Sequence, residues 1–393
     1  MHVYDQRKGN LYVHHDIPLP SYPLCLAHGR VSSTGALGNF CAVGTFSPGI
    51  EVWNLDVLNA LEPSCILGGE DTSDADELMK IEMLGGKMPS KRGKDSVSLR
   101  PGSHTDAVMA LSWNPIHQQV IASGSADKTV KLWDITKAES ELDKCNAGTY
   151  THHRDKVQAV EWHPKESTLL ATGSFDHTIA ILDARTNGEN VKRVKIQSDC
   201  EALAWDPFHP EYLTVATEDG TLYCWDVRKF ETNTPAWTKL SSEFGGMNDL
   251  TYNPNIPGMM ATCSVDKTVT LWDTYEGGKF APNAPPKPCM SKDMCAGKLY
   301  TVKFYPSSPW LVGCAGSGKE LSLWHLDSED RLKSRFGGRD STSEGLVTEG
   351  ENQVEEDFEA MMAEKAITTP PNRTSASKTK KKSGKKVHKR NGR

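Results

Sequence analysis

Thr129-Val130-Lys131-Leu132-Trp133-Asp134 is the stretch that decides the fold, because its form returns down the chain. Leu182-Asp183, Cys224-Trp225-Asp226, Leu271-Trp272-Asp273 and Leu323-Trp324-His325 end four further copies, and the last residues step by 49, 43, 47 and 52 positions. A second phrase runs 19 residues ahead: Trp113-Asn-Pro115, Trp162-His-Pro164, Trp205-Asp-Pro207, Tyr252-Asn-Pro254 and Phe304-Tyr-Pro306. Its prolines step by the same intervals. Two markers moving in lockstep define one structural module per period, with the length variation confined to loops between modules.

Within the unit from His104 to Asp134, Ala107–Trp113 alternates and is rich in apolar residues, as a half-buried strand does. Asn114-Pro115 breaks it, since proline cannot continue a ladder. Val120–Gly124 reads as a second strand, Ala126-Asp127-Lys128 as a tight turn, and Thr129–Trp133 as a third strand. A fourth, edge-like strand is expected on the more polar stretch that follows. Four antiparallel strands per period make one propeller blade, and a blade covers its faces only by stacking on its neighbours.

Phe40–Gly44 and Ile50–Trp53 form another second-strand, third-strand pair, so six units have recognisable centres. His2–Tyr4 and Asn10–His14, joined by a polar turn from Asp5 to Gly9, read as the outer half of one more blade. No strand pair after Gly338 supplies its inner half. The expectation is an all-β propeller of about seven blades over 1–338, of which this chain carries about six and a half, with Met1 an internal start that cuts off two strands in preference to an irregular seventh blade.

His104, Ser123, Asp127 and Trp133 have the spacing of a hydrogen-bonded tetrad: Asp holds His, His reaches the Ser hydroxyl, and the hydroxyl meets the indole N–H. The next unit offers His153, Thr172 and Asp176, with Leu182 in place of the tryptophan. The fourth keeps Asp219 and Trp225 without the His. The fifth keeps Thr262, Asp266 and Trp272, and the sixth keeps Trp324 with Gly318 where Asp would sit. These residues read as scaffold rather than chemistry.

The chain of 393 residues carries a net charge of −6, unevenly spread. From Arg373 to Arg393 there are ten basic residues and no acidic one, which leaves −16 on residues 1–372. An acidic propeller favours basic protein partners. The basic tail suits RNA or an import receptor, with Lys380, Lys381, Lys382, Lys385, Lys386, Lys389 and Arg390 as its core. Residues 68–102 form a charged insertion that opens acidic and closes basic. Residues 339–372 are a linker, in which Gln353–Ala366 could form a short helix with Val354, Phe358, Met361 and Met362 on one face.

No apolar stretch is long enough to span a membrane. The ten cysteines stand singly with no Cys-x-x-Cys pair, which argues against zinc ribbons and redox motifs and fits buried thiols. Gly313–Glu320 approaches a phosphate-binding loop, but Glu320 stands where Ser or Thr must hold magnesium, and a strand rather than a helix follows. The adjacent pairs His14-His15 and His152-His153 are expected to point to opposite sides of a strand. No catalytic constellation, cofactor site or metal site is identifiable, so the reading is a non-enzyme.

The repeats resemble the WD-repeat family. The segments outside the repeat phrase, Asn10–Leu24, Ile50–Pro63, His104–Val108 and His153–Gln158, resemble the periodic tryptophan protein 1 family over residues 1–338. That resemblance implies a nucleolar scaffold in large-subunit ribosome assembly and pre-ribosomal RNA processing. Its partners would be ribosomal or assembly proteins, or histones, with the chain a monomer inside a large complex. It also implies links to chromatin and ribosomal DNA transcription, so a histone-tail reader is the alternative.

Overall fold

In the computed structural model, residues 1–5, 8–71, 98–138, 144–186, 188–241, 245–318 and 320–340 are described. The basic tail, the 353–366 helix, Lys319 and the centre of the 68–102 insertion lie outside them. Met1–Ser341 forms one compact unit.

The periodic phrases become six antiparallel sheets, five of four strands and one of three. Blade I holds β3 (Pro23–Val31), β4 (Leu37–Thr45), β5 (Ile50–Asn54) and β6 (Cys65–Leu67). Blade II holds β7 (Val108–Trp113), β8 (Val120–Ser125), β9 (Val130–Asp134) and β10 (Asn146–Tyr150). Blade III holds β11 (Val157–Trp162), β12 (Leu169–Ser174), β13 (Thr178–Asp183) and β14 (Lys192–Lys195). Blade IV holds β15 (Cys200–Trp205), β16 (Tyr212–Thr217), β17 (Thr221–Asp226) and β18 (Trp237–Leu240). In blade V, β19 (Met247–Tyr252), β20 (Met259–Ser264) and β21 (Thr268–Asp273) are followed by a hairpin, β22 (Tyr275–Glu276) and β23 (Lys279–Phe280), before β24 (Lys287–Asp293) completes the sheet. Blade VI holds, among the described residues, β25 (Leu299–Tyr305), β26 (Ser308–Gly316) and β27 (Ser322–His325).

The local chemistry explains the strands. The turn at Lys128 takes a positive φ of 72°, and Asp127 holds it by accepting from the N–H and hydroxyl of Thr129 at 2.9 and 2.7 Å. In blade II the register pairs Ile121 with Trp133 and Ser123 with Lys131. Trp133, Trp225, Trp272 and Trp324 are among the largest fully buried side chains.

The core lies between blades. One cluster joins blades I and II, one II and III, one III and IV, one IV and V, and one V and VI. No such cluster joins VI to I among the described residues. The innermost strands pack in series, β3 on β7, then β11, β15, β19 and β25, and no comparable packing joins β25 to β3 among the described residues.

The first strands sit beside that gap. β1 (His2–Asp5) and β2 (Asn10–Val13) pair with each other alone. The Tyr4 hydroxyl bonds His325 Nε2 at the end of β27 at 2.5 Å, which lays the hairpin over the open face of blade VI. A cleft of about 450 Å³ lies between hairpin and blade, lined by Val3, Leu11, Phe304, Leu311, Leu321 and Leu323 among others. Six blades and this hairpin are therefore present among the described residues, and a complete seventh blade is not.

Three differences from the sequence reading have physical causes. Asp330–Phe336 is a helix, α1, whose Leu332 and Phe336 are buried in the core shared with blades V and VI. Arg339, one residue beyond the boundary drawn at 338, bonds Asp273 at 2.7 Å and so belongs to the propeller unit. The histidine pairs do not diverge: His14 and His15 meet through their Nδ1 atoms at 2.8 Å, and both His152 and His153 reach Thr172. All four lie outside strands, so strand alternation does not apply to them.

All ten cysteines are free. Burial pushes the thiols of Cys25 and Cys224 up to about 12, so both stay protonated. The glycine-rich stretch through Gly316 ends β26 and leads into β27, with no helix to present backbone N–H groups to a phosphate. No helix among the described residues is long and apolar enough to cross a membrane.

Candidate functional site

The tetrad residues come together in blade II. His104 Nδ1 lies 2.9 Å from Asp127 Oδ2, and His104 Nε2 lies 2.7 Å from Ser123 Oγ. The Trp133 indole N–H donates to the same hydroxyl at 2.7 Å. Burial pushes His104 below its ordinary value against the pull of Asp127, so the ring is neutral. Burial opposes ionisation of Asp127, yet hydrogen bonds from His104, Thr129 and the Thr105 N–H hold its carboxyl well below the usual range. A neutral ring that donates from Nδ1 accepts at Nε2. The chain of donors then runs indole to hydroxyl to imidazole to carboxylate, buried from end to end.

Blade III repeats the pattern with a substitute. His153 bonds Asp176 at 3.1 Å and Thr172 at 2.9 Å. Leu182 offers no donor, and His152 Nε2 takes the tryptophan's place on Thr172 Oγ1 at 3.0 Å. Burial lowers His152 to about 3, which keeps it neutral. In blade V Trp272 donates to Thr262 at 2.9 Å, while Asp266 only caps the Thr268 turn. In blade IV Asp219 accepts from Thr217 at 2.6 Å, and Trp225 Nε1 has no partner among the described residues. Trp324 Nε1 has none either, and Trp53 Nε1 is satisfied by Glu51 at 2.9 Å.

These networks use their buried polar atoms to hold the blades. Polar residues outside them on the inner strands are freer to meet a partner. Glu161 on β11 and Glu201 on β15 are half-buried, and Gln158 reaches toward Glu201 Oε2 at 3.4 Å. Asp249 on β19 accepts from Lys303 Nζ at 3.0 Å and from Thr301 Oγ1 at 2.8 Å on β25. Desolvation pushes Glu161 up to about 7, with Lys303 pulling it down and Asp249 pushing it up. Glu161 on blade III and Asp249 on blade V stand two blades apart, and the Asp249 charge still reaches Glu161. Desolvation likewise takes Glu201 up to about 7, reinforced by Glu218 and Asp199 on the same blade. Burial disfavours the Lys303 cation, but Asp249 raises its pKa overall.

The inner strands of blades III, IV and V thus carry three acids, Glu161, Glu201 and Asp249, with Lys303 of blade VI paired to Asp249. Desolvation weakens the ionisation of Glu161 and Glu201 near neutral pH, and an approaching cationic side chain would favour their charged forms. No cluster of three or more His, Cys, Asp or Glu among the described residues could hold a metal ion. The sequence signal for this site is faint but present. The residue before the aromatic of the second marker is Ser112, Glu161, Ala204, Thr251 or Lys303 in successive blades, so one acid and one base stand where neutral groups alternate.

Comparison with known proteins adds the family. The model for the WD domain, G-beta repeat, matches residues 97–134 and 144–183. An uncharacterised WD repeat-containing protein of Schizosaccharomyces pombe is 37% identical over 344 residues, 86% of this chain and 60% of that protein. Periodic tryptophan protein 1 of Saccharomyces cerevisiae is 32% identical over 336 residues, 83% of this chain and 56% of that protein. Histone acetyltransferase type B subunit 2 of Debaryomyces hansenii is 25% identical over 234 residues, 57% of this chain and 56% of that protein. The chain spans less than two thirds of the length of these relatives.

Proposed function

We propose that this chain, which carries WD repeats, is a non-catalytic scaffold that docks basic proteins at an acidic central channel during ribosome assembly. The observation that carries the docking mode is the set of Glu161, Glu201 and Asp249 on the inner strands of blades III, IV and V. The resemblance to the periodic tryptophan protein 1 family, supported by 32% identity to its yeast member, implies a scaffold that works in the nucleolus in large-subunit assembly and pre-ribosomal RNA processing. Residues 373–393 would serve as the RNA contact or the nuclear-targeting element.

The ring itself would hold a seventh blade, with β1 and β2 as its outer half. The apolar cleft between that hairpin and blade VI, and the exposed Tyr300, Tyr305 and Leu321 beside it, support the reading. Two strands seated there would join blades VI and I.

Sedimentation of cell extract on a sucrose gradient tests the function. The full chain is expected to travel with large-subunit precursors, and the chain lacking residues 373–393 or carrying Glu161→Gln with Glu201→Gln is expected to shift toward free proteins. A full chain found only among free proteins would sink the assembly role. The likeness to a histone acetyltransferase subunit favours a second reading, recognition of histone tails. Titration with histone-tail peptides separates the two, since a chromatin reader must prefer one tail over others.

A further inference from the structure

A cleft of about 480 Å³ on blade III has a charge opposite to that of the molecule around it. Arg154, Arg193 and Lys195 line it, with Asp176, Thr178 and Asn233. None of the three cations has an ion-pair partner among the described residues. Asp176 does not recruit them, because its oxygens are already used. His153 and the Arg154 N–H bond Oδ2 at 3.1 and 2.8 Å, while the Thr178 N–H and hydroxyl bond Oδ1 at 3.0 and 2.6 Å.

The cations stand on fixed backbone. Arg193 and Lys195 lie on β14 opposite Ala180 and Thr178 of β13. The Lys195 N–H donates to Asn233 Oδ1 at 2.9 Å. Three unpaired cations, set against one carboxylate whose lone pairs are filled, leave an excess of two positive charges in a single cleft.

We propose that this cleft receives the phosphate group of a phosphorylated peptide. A phosphate monoester carries about −1.5 to −2 at neutral pH and three acceptor oxygens, which matches that excess and the guanidinium donors. The surroundings favour a peptide over a nucleic acid. Asp155 follows Arg154 directly, Asp199 pairs with His177 beside Asp176, and Glu231 pairs with Lys192 on the same strand as Arg193. A polynucleotide carries a charge at every nucleotide and would set the neighbours of a bound phosphate against those acids. A peptide with one phosphate and neutral or basic flanks meets no such repulsion. The cleft is independent of the channel carboxylates, so it stands whether or not basic proteins dock there.

The test uses the full chain and a degenerate phosphoserine peptide library, with the same library after phosphatase treatment, read by fluorescence anisotropy. The phosphorylated library is expected to bind about tenfold more tightly. Arg193→Ala and Lys195→Glu are each expected to abolish that preference, and Arg193→Lys to keep part of it. Both positions are exposed, and equal melting midpoints would establish that the variants fold. The basic tail is the same in every variant, so its contribution cancels. Equal binding of both libraries to the wild type would overturn the proposal, as would a preference that survives both substitutions. A twelve-nucleotide uridine RNA that loses affinity with Arg193→Ala by the same factor as the phosphopeptides would also overturn it, because the cleft would then be a general anion contact.

Discussion

At the scale of single residues, one position decides whether each central indole is satisfied. Ten residues before the tryptophan stands Val43, Ser123, Val215, Thr262 or Cys314 in blades I, II, IV, V and VI. A hydroxyl there accepts the N–H in blades II and V. Valine cannot, so blade I brings in Glu51 and blade IV leaves Trp225 without a partner among the described residues. The prediction follows from the cost of a lost buried hydrogen bond. Trp133→Phe should destabilise the protein by about 1 kcal/mol more than Trp225→Phe, since both lose similar area and only the first loses a bond. Urea unfolding of the two variants measures this, and equal losses would mean that the tetrad bond contributes nothing net. His152 shows the limit of spacing rules at this scale. Its role on Thr172 depends on an irregular backbone that places two adjacent imidazoles on one hydroxyl.

At the scale of elements, the unexpected part is α1. It is too short to stand alone. Leu332 and Phe336 anchor it in the core of the last two blades, and two arginines tie it to blade V. Arg335 Nε reaches Asp273 Oδ2 at 2.7 Å, and Arg339 reaches both oxygens at 2.7 and 3.0 Å. Burial works against the Asp273 charge, but the two guanidinium groups hold its carboxyl below the usual range. A carboxylate whose folded pKa is depressed contributes stability above its unfolded pKa and loses it as pH falls through the folded value. Asp273→Ala is therefore expected to free α1 at neutral pH, seen as faster amide exchange over 330–336, with a cost of about 3 kcal/mol for breaking a buried pair. The difference between variant and wild type should shrink as pH drops below about 4. Unchanged exchange would show that Leu332 and Phe336 hold the helix without the clamp. The charged insertion is also organised at its base: Gly69 and Asp71 bond Arg100 and Ser98 at 2.9 and 2.7 Å, so the loop leaves and returns at one point on blade I.

At the scale of the molecule, stability is a chain of interfaces. Each blade buries one face on each neighbour, and five shared cores serve six blades. The two end faces are left with exposed Leu26 on blade I and Tyr300 and Tyr305 on blade VI, partly shielded by β1 and β2. Unpaired strand edges and apolar faces invite association. Removing residues 1–14 is expected to lower the melting midpoint, because β1 and β2 cover part of the apolar cleft on blade VI. An unchanged midpoint would show that the hairpin contributes nothing net to the propeller unit.

The blades were legible in the chain because their determinants are local. Alternation of apolar residues sets each strand, Asn-Pro, His-Pro and Asp-Pro end the first strands, and aspartate turns such as Asp127-Lys128 set the next register, all within a few residues. Six units, their order and the hairpin at the start could be read that way. What only the tertiary structure decided depends on partners far apart in sequence. Glu161 meets the field of Asp249 and Lys303 from blades V and VI, and Asp273 waits more than 60 residues for Arg335 and Arg339. Arg154 meets Arg193 and Lys195 only because β14 folds back beside the turn at Asp176. Spacing along a chain specifies which residues share a strand face. Which charges share a channel or a cleft is set by the stacking of whole blades, and that stacking is driven by apolar area with no regard for the charges it brings together.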